Sequence, residues 1–163
     1  MSLVKAFQNT DYNLKIIGFS NDGYEDELKA YLNGKRHHIE FLGKMNFEQI
    51  VPYLKSCLCT VVPSEWYDNF PNVILESFAY KKAVVATNFG SLPELVRNGE
   101  TGLTFNYQDV EDFRSKIAYF FAHPTEAKAM GENAFQNVQT CFSPAEHYNR
   151  LMKLFNDITG KQK

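Results

Sequence analysis

Two carboxylates, Asp68 and Glu76, lie eight residues apart in the run Pro63-Ser64-Glu65-Trp66-Tyr67-Asp68-Asn69-Phe70-Pro71-Asn72-Val73-Ile74-Leu75-Glu76-Ser77-Phe78-Ala79. The apolar run before it, Leu58-Cys59-Thr60-Val61-Val62, reads as a buried strand. Pro71 can open an amphipathic helix, because proline at the first helical position loses no hydrogen bond. Asp68 then sits in the entry loop and Glu76 inside the helix. Helical spacing lets Asn72, Val73 and Glu76 share a face, while Val73, Ile74, Ser77 and Phe78 offer an overlapping stripe to a core. A strand that ends in an acid-bearing loop and runs into a helix N-terminus suits an anionic, hydroxylated ligand. The plain alternatives are a solvated helical Glu76 and an Asp68 that only caps the helix.

The elements that must position these residues alternate. A short helix over 3–7 leads to a strand over 14–19 that breaks at Gly18, then a helix over 25–32 stopped by Asn33-Gly34. A strand over 38–42 precedes Gly43-Lys44-Met45 and a helix over 47–55 capped by Asn46. After the strand at 57–62 and the helix at 71–80 come a β-branched strand at 83–87, a short helix at 92–97 and a strand at 102–105. Lys81-Lys82 is read as a complement to the dipole at the end of the 71–80 helix. Asp109 caps a helix over 110–122, where Phe113, Ile117, Tyr119, Phe120 and Phe121 read as a core stripe, and helices near 124–139 and 144–159 close the chain. Strands alternating with helices predict an α/β, Rossmann-like fold, one parallel sheet with helices on both faces.

The 163 residues support one domain, and the 44% hydrophobic content fits a folded chain. A net charge of −2 gives no electrostatic case for nucleic acid. No run approaches the length of a membrane span, and the N-terminus lacks a signal-peptide apolar region. Cys57 and Cys59 are too far apart in a strand for easy bridging and are read as reduced thiols, which makes the cytoplasm the default location. His37-His38 lacks a third ligand nearby, and Asp109-Val110-Glu111-Asp112 reads as a helix start, so no metal site is expected.

The Asp68–Ser77 stretch resembles the acid-x7-acid signature of family 4 retaining glycosyltransferases, with Asp68, Phe70, Pro71 and Glu76-Ser77 in register. The first acid is Asp instead of the family's Glu, and Pro71 replaces a glycine. The segment 38–43 and, downstream, residues 83–87, Gly90, Pro93-Glu94, Gly99 and Gly102 are similar to the flanking parts of that family in order and spacing. The resemblance implies one half of a two-domain GT-B architecture: residues 1–163 as a single nucleotide-sugar-binding domain. The family's additional first strand with its Arg- and Lys-bearing loop, and the acceptor domain, are not found here. It places Glu76 on the donor ribose and Asp68 near the transferred sugar, as the catalytic carboxylate. Phe70, Pro71, Asn72 and Val73 fall at phosphate and sugar, and Met45 in a loop whose backbone reads the base. Glu94 is read as a structural hydrogen-bonder.

What the resemblance implies for function is transfer of a hexose from a nucleotide-diphosphate sugar to a glycan or lipid-linked acceptor, as in polysaccharide biosynthesis. The chemistry would be metal-independent, with no cofactor, on the donor's front face, the departing phosphate taking the acceptor's proton. The acceptor would bind through the other domain. Peripheral membrane association belongs to the full-length enzyme, and the 163 residues alone are expected to be inactive. The alternative is a non-catalytic nucleotide-binding or interaction module of the same fold. A phosphoacceptor or flavin domain would need clustered acids or a phosphate loop after the first strand, for which residues 19–23 are poor candidates.

Overall fold

In the computed structural model, which describes residues 1–160, the elements follow in the order α1 (Ser2–Phe7), β1 (Asn13–Ile17), α2 (Tyr24–Leu32), β2 (His38–Gly43), α3 (Phe47–Ser56), β3 (Cys59–Val62) and α4 (Asn72–Ala79). Then come β4 (Ala83–Asn88), α5 (Leu92–Leu95), β5 (Gly102–Asn106), α6 (Val110–Ala122), α7 (Pro124–Cys141) and α8 (Pro144–Thr159). Every strand pairing is parallel, as crossover helices require. The strands do not form the single sheet expected. β1 pairs with β2, and β3, β4 and β5 pair in that order as a separate sheet, so β1 and β3 each keep an unpaired edge. Hydrophobic periodicity identifies strands but says nothing about which edges meet.

Side chains join the two sheets. One core cluster unites Leu28, Leu32 and Ile39, around the first sheet, with Ala83, Val85, Leu103 and Phe105 of the second and Phe113, Ile117 and Phe120 of α6. β4 is the central strand, fully buried from Ala83 to Thr87. Its side chains alternate as a pleat dictates: Ala83 and Val85 face that cluster, whereas Val84 and Ala86 face a second one built from Ile74, Phe78, Leu92 and Ala134. A fully buried Phe such as Phe78 stabilises the fold by roughly 1.5–3 kcal/mol. Helices thus cover both faces, in accord with the expected class.

Several local readings hold and several change. Asn46 caps α3 in a reciprocal capping box with Gln49, and Asp109 caps α6 by accepting from the Asp112 amide at 2.9 Å. Pro71 is not the first helical residue. Its backbone is extended and its carbonyl accepts from the Ile74 amide at 3.1 Å, which makes it the residue before the helix. Val73 leaves the core stripe: it is 42% exposed, while Ile74, Ser77 and Phe78 are buried. On α6, Phe113, Ile117 and Phe120 are core, but Tyr119 and Phe121 point outward, Phe121 stacking on Tyr12 with ring centroids 3.9 Å apart.

The Lys pair also departs from its reading. The Lys82 amide closes its own helix on the Ser77 carbonyl at 2.9 Å, but its side chain does not serve that helix. Its ammonium donates to the carbonyls of Lys55 and Cys57 at 2.9 and 2.8 Å and closes the end of α3. Lys81 adopts a positive φ of 58° and pairs with Glu132 of α7 at 2.9 Å. Beside it α7 runs against the chain so closely that a Cβ on Gly131 would lie 2.1 Å from the Lys81 carbonyl oxygen. Arg114 of α6 donates to the carbonyls of Lys5 and Ala6 and ties down the end of α1. α8 buries none of its residues, and no described helix is long and apolar enough to cross a membrane.

Candidate functional site

The carboxyl ends of parallel strands collect the loops, and ligands bind there in open α/β sheets. Here Gly18 and Phe19 follow β1, residues 63–66 follow β3 and Tyr107 follows β5. Together with Met1, Ser2 and Tyr24 they line a cavity of about 990 Å³. Two local bonds hold the acid-bearing loop. The Asp68 amide donates to the Trp66 carbonyl at 2.9 Å, a three-residue turn. Ser91, past β4, donates its hydroxyl proton to the Asp68 carbonyl at 2.5 Å.

α4 is keyed to β3 through one buried hydroxyl. Thr60 donates to Ser77 at 2.8 Å, and Ser77 donates in turn to the Val73 carbonyl at 2.6 Å. Ser77 is wholly buried, so the residue beside it, Glu76, is fixed at the margin of the core and is half-buried. Asn72, Val73 and Glu76 share the outer face as the spacing predicts. The Asn72 and Val73 amides stand at the open end of the helix, ahead of the Ile74 amide that Pro71 satisfies. Helix ends expose unsatisfied amides with a partial positive charge.

Asp68 is half-buried. No side chain caps α4, so the capping alternative for Asp68 is removed. Among the described residues neither the Asp68 nor the Glu76 carboxylate has a hydrogen-bond or ion-pair partner. Phe70 is 46% exposed and packs obliquely on Phe142, ring centroids 5.6 Å apart. Met45 is half-buried in the loop between β2 and α3. None of the seven site residues read from the sequence lines the cavity, whose wall stops at Trp66, two positions before Asp68. Asp68 and the start of α4 therefore form a shelf beside the cavity, and Met45 belongs to a separate loop.

The sequence reading assigned no role to the aromatic residues of this rim. Trp66 and Tyr67 are each 80% exposed and Phe19 55%. Tyr67 packs on Phe89 with centroids 4.5 Å apart, and Phe89 stacks on Tyr107 at 4.6 Å. Lys44 lies 5.0 Å above the Phe19 ring. A usable signal existed: each of these aromatics follows the end of a strand by one to five residues. Among the described residues no group of three or more His, Cys, Asp or Glu side chains is placed to hold a metal ion. The Cys59 thiol is pushed up to about 12 by burial and by the neighbouring Cys57, against the pull of Lys82, so it is a neutral packing group.

Residues 1–137 match the family described as Glycosyl transferases group 1. The chain is similar to the uncharacterized glycosyltransferase MJ1178 of Methanocaldococcus jannaschii, with 32% identity over 133 residues, 80% of this chain and 37% of that protein. It is also similar to the lipopolysaccharide core biosynthesis mannosyltransferase LpcC of Rhizobium leguminosarum bv. viciae, 30% identical over 158 residues, 94% of this chain and 44% of that one. Among solved structures, Anabaena HepE in complex with UDP and glucose has the same fold. It superposes with a TM-score of 0.79 at 19% identity, over 96% of this chain and 43% of that chain. The chain spans less than half the length of each of these relatives.

Proposed function

The chain belongs to the group 1 glycosyl transferases, and from that premise we propose that it is the nucleotide-sugar-binding part of a retaining enzyme. That enzyme transfers a hexose to a glycan or lipid-linked acceptor. The observation that carries the reading is the pair of half-buried carboxylates, Asp68 and Glu76, without partners among the described residues, on either side of the open amides of α4. Unused acceptors beside unused donors complement a ligand that carries both hydroxyls and phosphates. LpcC is named a mannosyltransferase, and HepE was solved with UDP and with UDP-glucose. Both names agree with a nucleotide-diphosphate sugar as the substrate here.

In this arrangement Glu76 accepts from the two ribose hydroxyls, and the Asn72 and Val73 amides face the diphosphate. Pro71 contributes no amide. Asp68 orients the transferred sugar and stabilises positive charge that develops at its anomeric carbon. The acceptor hydroxyl attacks from the side the phosphate leaves, and its proton passes to the departing phosphate oxygen, so the product keeps the donor's anomeric configuration. No residue of this chain acts as a covalent nucleophile in this scheme. The test is Glu76→Gln, which keeps the shape and removes the charge from hydrogen bonds worth about 1.5–3 kcal/mol each. Affinity for a nucleoside diphosphate, measured by calorimetry, should fall at least about tenfold. Unchanged affinity in a folded variant would refute the ribose role.

A further inference from the structure

Large exposed aromatics at the mouth of a cavity are costly unless something covers them. Trp66 stands 80% exposed at the rim of the 990 Å³ cavity, and Phe19 and Tyr107 line the same cavity. Behind Trp66 the rings continue through Tyr67, Phe89 and Tyr107, which packs the loops after β3, β4 and β5 into one aromatic row. The row is anchored: Ser91 grips the Asp68 carbonyl, and the Asp68 amide closes the turn back onto Trp66. Trp66 therefore presents a wide apolar face at a defined place, two residues from a carboxylate with no partner among the described residues.

We propose that Trp66, next in the chain to the Tyr67–Phe89–Tyr107 row, is a stacking platform for a pyranose ring, and that Asp68 binds the hydroxyls of the same ring. A pyranose has an apolar C–H face and an equatorial girdle of hydroxyls, so it needs an aromatic plane and an acceptor at its edge together. Aliphatic side chains would shield the C–H face but supply no negative π-cloud toward it. A nucleobase would also stack on an indole, but its edge displays both donors and acceptors, and a lone carboxylate answers only the donors. The inference rests on the glycosyl-transfer reading and deepens it: the ring is either the donor's sugar or the terminal sugar of the acceptor.

Trp66 is the single tryptophan of the chain, so its emission reports the platform directly. The protein is titrated with methyl α-mannopyranoside, with UDP and GDP, and with UDP-glucose and GDP-mannose, using sorbitol as the open-chain control. A saturable blue shift with the methyl glycoside assigns the platform to an acceptor ring. A shift with the sugar nucleotides but not with UDP or GDP assigns it to the donor's sugar. Tyr67→Ala should weaken whichever titration is active by about three- to tenfold, and Tyr67→Phe should restore it. An emission moved equally by UDP or GDP alone, with no response to pyranosides, would show a base-stacking site and overturn the proposal. So would an emission unmoved by any sugar, or unchanged affinity in Tyr67→Ala. Calorimetric binding of UDP or GDP to the same sample decides the nucleotide reading separately, because it does not depend on Trp66.

Discussion

Gly131 offers a test in which two well-known effects oppose each other. It lies inside α7, an 18-residue helix, where alanine should be the better helix former by about 0.5–1 kcal/mol. A Cβ there would sit 2.1 Å from the Lys81 carbonyl oxygen, 2.7 Å from its carbon and 3.2 Å from the Ala83 amide nitrogen. All three are backbone atoms at the entry to the central strand, so no flexible side chain can yield. Relief requires α7 to back away from β4 by more than an ångström along the face that buries Ala127, Met130 and Ala134. Overpacking of this kind costs about 1–3 kcal/mol and sometimes more, so the clash outweighs the propensity gain. Gly131→Ala should lower stability by about 1–2 kcal/mol net, a fall in melting temperature of roughly 2–8 °C for a chain of this size. Urea denaturation followed by far-ultraviolet circular dichroism measures it. A variant as stable as the parent, or more stable, would refute the close approach of α7 to the Lys81 turn.

Other outcomes follow from the same geometry. Because no side chain caps α4, Asp68→Asn and Asp68→Ala should both leave stability within about 0.5 kcal/mol. In an active enzyme containing this chain they should cut turnover by roughly 10²-fold with little change in nucleotide affinity; normal turnover in both would end the sugar-contact role. Lys82→Met removes two charged donors from the Lys55 and Cys57 carbonyls and should cost about 1–3 kcal/mol, whereas Lys81→Met loses an exposed pair with Glu132 and an exposed contact with the Phe135 ring, each worth less than about 1 kcal/mol; thermal melts that reverse this order would contradict the cap. The Cys59 thiol titrates near 9 when free and near 12 in the fold. The unfolded chain therefore loses this proton first as pH rises, and the contribution of Cys59 to stability, complete below pH 9, declines between those values. At pH 8 its alkylation by iodoacetamide should run roughly a thousandfold slower than that of an ordinary thiol, and alkylation at the ordinary rate would show that the sulfur is not buried.

Much of the architecture was legible because its signals are local. Asn46 and Asp109 announce helix starts through side chains that reach three residues ahead, and the short β-branched run at 83–87 reads as the buried strand that it forms. What escaped the sequence depends on what stands opposite. Val73 has the spacing of a core residue, yet the buried side of α4 is set by where β3 and β4 lie. Lys82 sits next to its own helix end but bonds to carbonyls 27 and 25 residues upstream, a contact that no window around position 82 contains. The site divides the same way. Asp68 and Glu76 were readable from their spacing, whereas the aromatic rim is assembled from four loops and exists only once the strand ends are brought level.

The division of the strands into two sheets shapes how the molecule opens. Among the described residues no backbone hydrogen bond links β1 or β2 to β3, β4 or β5. The first sheet is held to the second by apolar packing, the Tyr12–Phe121 stack, the two Arg114 bonds to the end of α1 and the Ser2–Glu65 hydrogen bond. Such a body can detach while the rest of the fold persists, as a separate cooperative unit. Amide protons of β1 and β2 then exchange with solvent through a partial opening that costs less free energy than global unfolding. Those of β4, hydrogen-bonded on both sides and sealed on both faces, wait for the whole structure to come apart. The floor of the cavity is thus shared between a tighter and a looser half, and its width is set by a joint that side chains alone keep closed.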